Sequence, residues 1–119
     1  MNAWRHSLEV KLAHGRAGVF IFIGESVEVT ESQLPIYDPV KEEWKERLRL
    51  NLTDDSEKPV GKWNRELIIS KQGEVSVQIN GELVNKGWNA SASAGAICFQ
   101  AEGGDLQYRH IRIRERKSE

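Results

Sequence analysis

The sequence has little of several things that would fix its class at once. A single cysteine, Cys98, leaves no internal disulfide to hold the domain. The three histidines, His6, His14 and His110, are scattered, so no Cys/His spacing reads as a metal site and no cofactor is expected. Net charge is −1 from 17 basic and 18 acidic residues. The broad basic field of a nucleic-acid binder is missing. The longest apolar run, Ala17 to Ile23, is far too short to span a bilayer. No basic stretch followed by an apolar core opens the chain, so no signal peptide is visible. No period of about 20–50 residues suggests a solenoid or propeller. At 119 residues and 39% hydrophobic, a single globular domain over residues 1–119 is the expectation.

What is present has a period of two. Ser7 to Leu12 alternates polar and apolar, as a strand with one wet face does. Ala17 to Ile23 is continuously apolar and predicts a strand covered on both faces. Ser26 to Thr30, Arg47 to Thr53 and Trp63 to Lys71 are further strands. Glu74 to Asn80 and Glu82 to Asn85 flank Asn80-Gly81, the strongest short hairpin signal. Gly95 to Glu102 and Leu106 to Glu115 flank Gly103-Gly104, a second hairpin. In that last strand the spacing of Tyr108 to Ile111 is odd. A bulge at Arg109-His110 would return Tyr108, Ile111 and Ile113 to one core face and set Tyr108 opposite Phe99; otherwise Tyr108 points outward. Only Val40 to Leu48, after Pro35 and Pro39, predicts a turn of helix. Asn85 to Gly95 reads as a loop. Many short strands joined by tight turns predict an all-β antiparallel sandwich or jelly roll.

Two stretches are more specific. Gly61-Lys62-Trp63-Asn64-Arg65-Glu66-Leu67-Ile68-Ile69 is followed by Val77-Gln78-Ile79-Asn80-Gly81-Glu82-Leu83-Val84. The end runs Phe99-Gln100-Ala101-Glu102-Gly103-Gly104, then Tyr108-Arg109-His110-Ile111-Arg112-Ile113. These, with Gly15-Arg16-Ala17-Gly18-Val19-Phe20 near the start, resemble the bacterial 3-keto-disaccharide hydrolase domain family. The resemblance runs from about Ser7 to Glu115. It implies a sandwich of the concanavalin A-like lectin/glucanase type, a carbohydrate substrate, and a periplasmic or extracellular setting. The family's usual opening strands have no counterpart here. A missing edge strand would expose unpaired backbone, and a homodimer through that edge is expected.

The family pattern also departs where chemistry is expected. Its "GYEVQI" strand carries a carboxylate, and the matching strand here presents Arg47, Arg49 and Asn51. Arginine stays protonated and is no ordinary general base, whereas glycoside hydrolysis ordinarily uses two carboxyls. The His of "QDHG" is replaced by Glu102, and the Asn and Ser of "GNSG" by Arg16 and Ala17. The sequence thus leaves open whether the domain is a glycosyl hydrolase or a non-catalytic carbohydrate-binding or protein-interaction module.

The candidate site residues follow. Glu102 is the candidate acid or base. Arg47, Arg49, Asn51, Gln100 and Arg112 are candidate ligand contacts, or else a solvated strand face. Trp88, in a Gly/Asn/Ser-rich stretch, is either a sugar-stacking platform or a plug over a sandwich end. Asp54, Asp55 and Glu57 form an acidic turn, read as solvated in preference to a Ca²⁺ site.

Overall fold

The computed structural model describes residues 7–34, 36–45, 50–51, 55–91, 97–99 and 106–115. Seven strands and one 3₁₀ turn make up the regular structure among them: β1 (Ser7–Val10), β2 (Phe20–Ile23), the 3₁₀ turn (Glu31–Gln33), β3 (Ile36–Asp38), β4 (Glu43–Lys45), β5 (Glu66–Lys71), β6 (Glu74–Ile79) and β7 (Glu82–Gly87). All pairing between strands is antiparallel: β1 with β2, β3 with β4, and β5–β6–β7 in that order. The chain is all-β, of the sandwich class.

Turn chemistry sets the three-stranded sheet. Gln72-Gly73 and Asn80-Gly81 are two-residue turns with positive φ at both positions (50° and 81°, 52° and 86°). That is the hairpin geometry whose twist matches the flanking strands. β6 then alternates half-buried and buried along its length. Val75, Val77 and Ile79 face the core, where they join Val84, Ala17, Phe20 and Val27. Leu8 and Val10 of β1 pack against the same cluster, so the β1–β2 layer lies over the core face of β5–β6–β7.

A register shift between Val77 and Gln78 marks an extra residue in β7. Such a bulge lets two successive side chains turn the same way, and both Val84 and Asn85 are fully buried. Buried amides need partners. Asn85 Nδ2 donates to the Gly18 carbonyl at 2.8 Å, and its Oδ1 accepts from Gln33 Nε2, which also reaches the Lys86 carbonyl at 3.1 Å. Gln33 Oε1 in turn accepts from the Thr30 amide and hydroxyl at 2.9 and 2.8 Å. This network clamps the 3₁₀ turn and the loop before β2 onto β7. It also explains Gly18. The residue sits at φ 92°, and a methyl group there would collide with Val84.

Several sequence expectations are corrected. Val40 to Leu48 forms no helix over its described part: a turn leads into β4, and residues 46–48 lie outside the described residues. Glu42, at a left-handed φ of 54°, turns the chain back before a helix can continue, although the Asp38 carboxylate accepts the Val40 and Lys41 amides (2.9 and 3.3 Å) as a helix N-cap does. Lys45 (3.1 Å) and then those two amides hold the Asp38 carboxyl below the usual range. Tyr37 and Trp44 face each other across this hairpin with ring centroids 5.6 Å apart. The run from Ala17 becomes strand only at Phe20, and its cover falls off along the strand: Phe20 is fully buried, Phe22 on the same face is 41% exposed, and Ile21 and Ile23 on the other face are half-buried. Ser26 to Thr30 contributes a single bridge, Glu28 with Trp88. The strand expected from Trp63 begins at Glu66.

Residues 106–115 form no strand, and neither do 97–99. Tyr108 does meet Phe99, edge to face at 5.1 Å. Ile111 and Ile113, expected in the core, are exposed. His110 turns left-handed at φ 54°, and among the described residues no strand pairs with this segment for a ladder bulge to form against. The expected strand 47–53 is described only at Leu50 and Asn51. Both donate their amides to the Val84 carbonyl at the β7 bulge, at 2.7 and 3.1 Å.

Candidate functional site

Strand register assigns the face opposite the core. Directly opposed residues share a face, so Ile69, Ser76 and Lys86 lie side by side on it, with Lys71 beside Glu74 at the β5–β6 turn. Trp88 follows β7 at the same end. Its backbone is fixed by two hydrogen bonds with Glu28, at 2.8 and 2.7 Å. Asn89 follows at φ 51°, with its amide donating to Glu28 at 2.9 Å. The Ala90 amide then bonds the Gly73 carbonyl at 2.9 Å, which draws this segment over the β5–β6 turn.

The result is a cleft of about 500 Å³ lined by Ile69, Lys71, Gln72, Glu74, Ser76, Trp88 and Asn89. The indole is half-buried. Lys86 places its ammonium 5.6 Å from the ring centroid and 3.1 Å from Glu74 Oε1. An apolar ring edged by a carboxylate, ammonium groups, a hydroxyl and side-chain amides has the composition of a site for a hydroxyl-rich ligand. The ring face accepts C–H groups and the rim supplies donors and acceptors.

The candidates from sequence fare differently. Trp88 lines the cleft. Asn51 does not: its amide is engaged with Asp55 Oδ1 at 2.9 Å and Ser56 Oγ at 3.4 Å. Arg112 is exposed on the 106–115 segment, outside the cleft lining. Arg47, Arg49, Gln100 and Glu102 lie outside the described residues. In the acidic turn, Glu57 Oε1 accepts the Gly15 amide at 3.0 Å, with His14 Nδ1 3.7 Å away, and Asp54 lies outside the described residues. Glu74, Lys86, Lys71 and Ser76 were not among the sequence candidates. The wet positions of β6 are visible in its alternation, but their adjacency to Lys86 and Trp88 depends on the β7 bulge.

The motif residues near Trp63 turn out to be a structural tie. Asn64 Oδ1 accepts the Lys58 amide at 2.9 Å and Asn80 Nδ2 at 2.8 Å. Asn80 also binds the Ser56 carbonyl and the Arg65 amide, at 2.7 and 2.9 Å. The loop before β5 is thereby fastened to the β6–β7 turn. Arg109 lies over the Trp63 ring at 4.0 Å, which anchors the C-terminal segment to the same place.

The sequence pattern of a family described as a 3-keto-alpha-glucoside-1,2-lyase-like domain matches residues 2–114. The chain belongs to that family. Neither a curated protein nor a solved structure matches it. In this member of the lyase-like family, the residues that carry the family pattern near Gly18, Asn64 and Asn80 hold the frame, and the cleft lies beyond them on the sheet. Among the described residues no helix is long and apolar enough to cross a membrane.

Proposed function

We propose that this domain binds a carbohydrate of the 3-keto-glycoside class in the Trp88 cleft. The observation that carries the reading is the half-buried indole set among Lys71, Gln72, Glu74, Ser76 and Asn89. Membership in a family described by action on 3-keto-alpha-glucosides supports the substrate class.

The chemistry in that description changes what a catalytic site would need. A ketone at C3 acidifies the proton on C2. One base can remove that proton, a C1–C2 double bond forms, and the C1–oxygen bond breaks, the leaving oxygen taking up a proton. A single carboxylate then suffices, where ordinary glycoside hydrolysis uses two. Glu74 is the carboxylate lining the cleft, and the adjacent ammonium of Lys86 favours negative charge developing on the ketone oxygen. Glu102 is the base that the family motif position proposes, with Arg47, Arg49 and Gln100 as ligand contacts and Asn51 and Arg112 as outlying ones.

The test is titration of the purified chain with 3-keto-disaccharides and with their unoxidised parents, followed by NMR, and product analysis over time. Saturable binding of the keto sugar that Trp88→Ala weakens supports the reading. Absence of binding to either sugar sinks it. Glu74→Gln and Glu102→Gln separate the two proposed bases. A second reading, a non-catalytic binding module on the same fold, is favoured by the ion pair that occupies Glu74. It predicts binding with no product.

A further inference from the structure

β5 is an edge of the three-stranded sheet, and no described strand pairs with its outer side. Which of its backbone groups face out follows from its pairing with β6. Just before the strand, Asn80 donates its amide to the Arg65 carbonyl at 2.8 Å. Antiparallel pairs alternate between residues that bond the neighbour and residues that bond away from it. Leu67, Ile69 and Lys71 therefore direct their N–H and C=O groups to β6, and Glu66, Ile68 and Ser70 direct theirs outward. Such a row is a template for another strand unless proline, bulges or charges blunt it. Charge stands only at the two ends, Glu66 and Lys71. The centre, Leu67 to Ser70, has no charge, no proline and no register shift. Leu67 and Ile68, on opposite faces, are 42% and 46% exposed.

We infer that β5 pairs antiparallel with β5 of a second copy of this chain, about a two-fold axis at Ile68. A two-fold perpendicular to the sheet keeps each face on its own side, so opposed residues must point the same way. Centred on Ile68, the outward row is its own complement. Ile68 faces Ile68, and Glu66 faces Ser70 of the second copy, each pair exchanging two backbone hydrogen bonds. On the other face Leu67 meets Ile69 of the second copy. A foreign strand would have to supply this pattern, whereas a second copy carries it. The cost falls at the ends, where Arg65 stands opposite Lys71 of the second copy. Centring on Ile69 avoids that pair but leaves only Ile68 and Ser70 to bond across the axis.

Sedimentation over a concentration series tests this, and its readout is independent of carbohydrate binding. The expected result is a reversible dimer that tightens with added salt, as the Arg65–Lys71 repulsion is screened. Ile68→Lys sets two ammonium groups face to face and should raise the dissociation constant at least about tenfold. Its circular dichroism should stay unchanged, since Ile68 is not a core residue. In a Cys98→Ser background, Ile68→Cys should oxidise to a disulfide-linked dimer, because opposed Cα atoms in a bonded pair lie about 5.5 Å apart. Ile69→Cys should not. A monomer at every concentration, a dimer indifferent to Ile68→Lys, or crosslinking at Ile69→Cys in place of Ile68→Cys overturns the inference.

Discussion

On one face of the β5–β6–β7 sheet, Val75, Val77, Ile79 and Val84 are sealed beneath Phe20. On the other, the same strands hold Lys71, Glu74, Ser76 and Lys86 around a half-buried indole. Both faces contain polar side chains, and what separates them is how those are satisfied. On the core face, Asn85 and Gln33 are fully buried and spend their amides on each other and on backbone. On the outer face, the Lys86–Glu74 pair and Trp88 border an open cleft, where a ligand can replace water. A polar group closed off inside contributes to stability, and one left at the surface of a cleft is available for recognition. The face of the strand decides which.

Substitutions should therefore sort by face. Ile79→Ala on the core face should have the largest effect, about 2–5 kcal/mol lost in urea unfolding, because the side chain is fully buried in the cluster. A loss below about 1 kcal/mol would mean that the face is not sealed. Next comes Asn85→Leu. It removes the donor to the Gly18 carbonyl and the acceptor for Gln33, and each buried group left alone costs about 1–3 kcal/mol. On the outer face, Trp88→Ala should reverse the pattern. Stability should change little, because Trp88 is anchored through its backbone. Affinity for the keto sugar should fall at least about tenfold, near 1.4 kcal/mol. If Trp88→Ala costs stability as the core substitutions do while the folded variant binds the keto sugar with unchanged affinity, the indole is a plug and the division between faces fails.

What was legible in the sequence follows from how local each signal is. Asn80-Gly81 and the turn at Gln72-Gly73 specify their own backbone, so the β5–β6–β7 meander could be read directly. The meeting of Phe99 and Tyr108 was legible from the spacing around Gly103-Gly104. The helix expected after Pro39 fails at Glu42, whose left-handed φ of 54° closes the chain into the β3–β4 turn, and no residue type in that stretch announces it. The β7 bulge has no local marker. It sets which residues stand beside Trp88, so the tryptophan could be picked out while Glu74 and Lys86 could not. Arg47, Arg49, Gln100 and Glu102 were chosen by motif position, and they lie outside the described residues.

The smallest effect is the pH dependence at Glu66. By register it stands opposite Ile79, on the core side of the sheet, at the open edge. Loss of hydration there pushes its carboxyl from 4.5 up to about 7. The folded chain thus binds this proton more tightly than the unfolded chain. Its contribution to stability is complete below about 4.5 and is lost as pH rises through about 7. Because the residue remains exposed at the edge, solvent screens part of the effect, and only a shallow slope is expected in unfolding midpoints measured between those limits. Asp38 provides the opposite sign. With its carboxyl held low by Lys45, its contribution is present above 3.8 and lost as pH falls through its lowered value. Glu66→Gln should flatten the first slope and leave the second, and Lys45→Ala should do the reverse. An unchanged slope in Glu66→Gln would mean that its carboxyl is as well hydrated as one on the outer face, and that the sealed side of the sheet ends before β5.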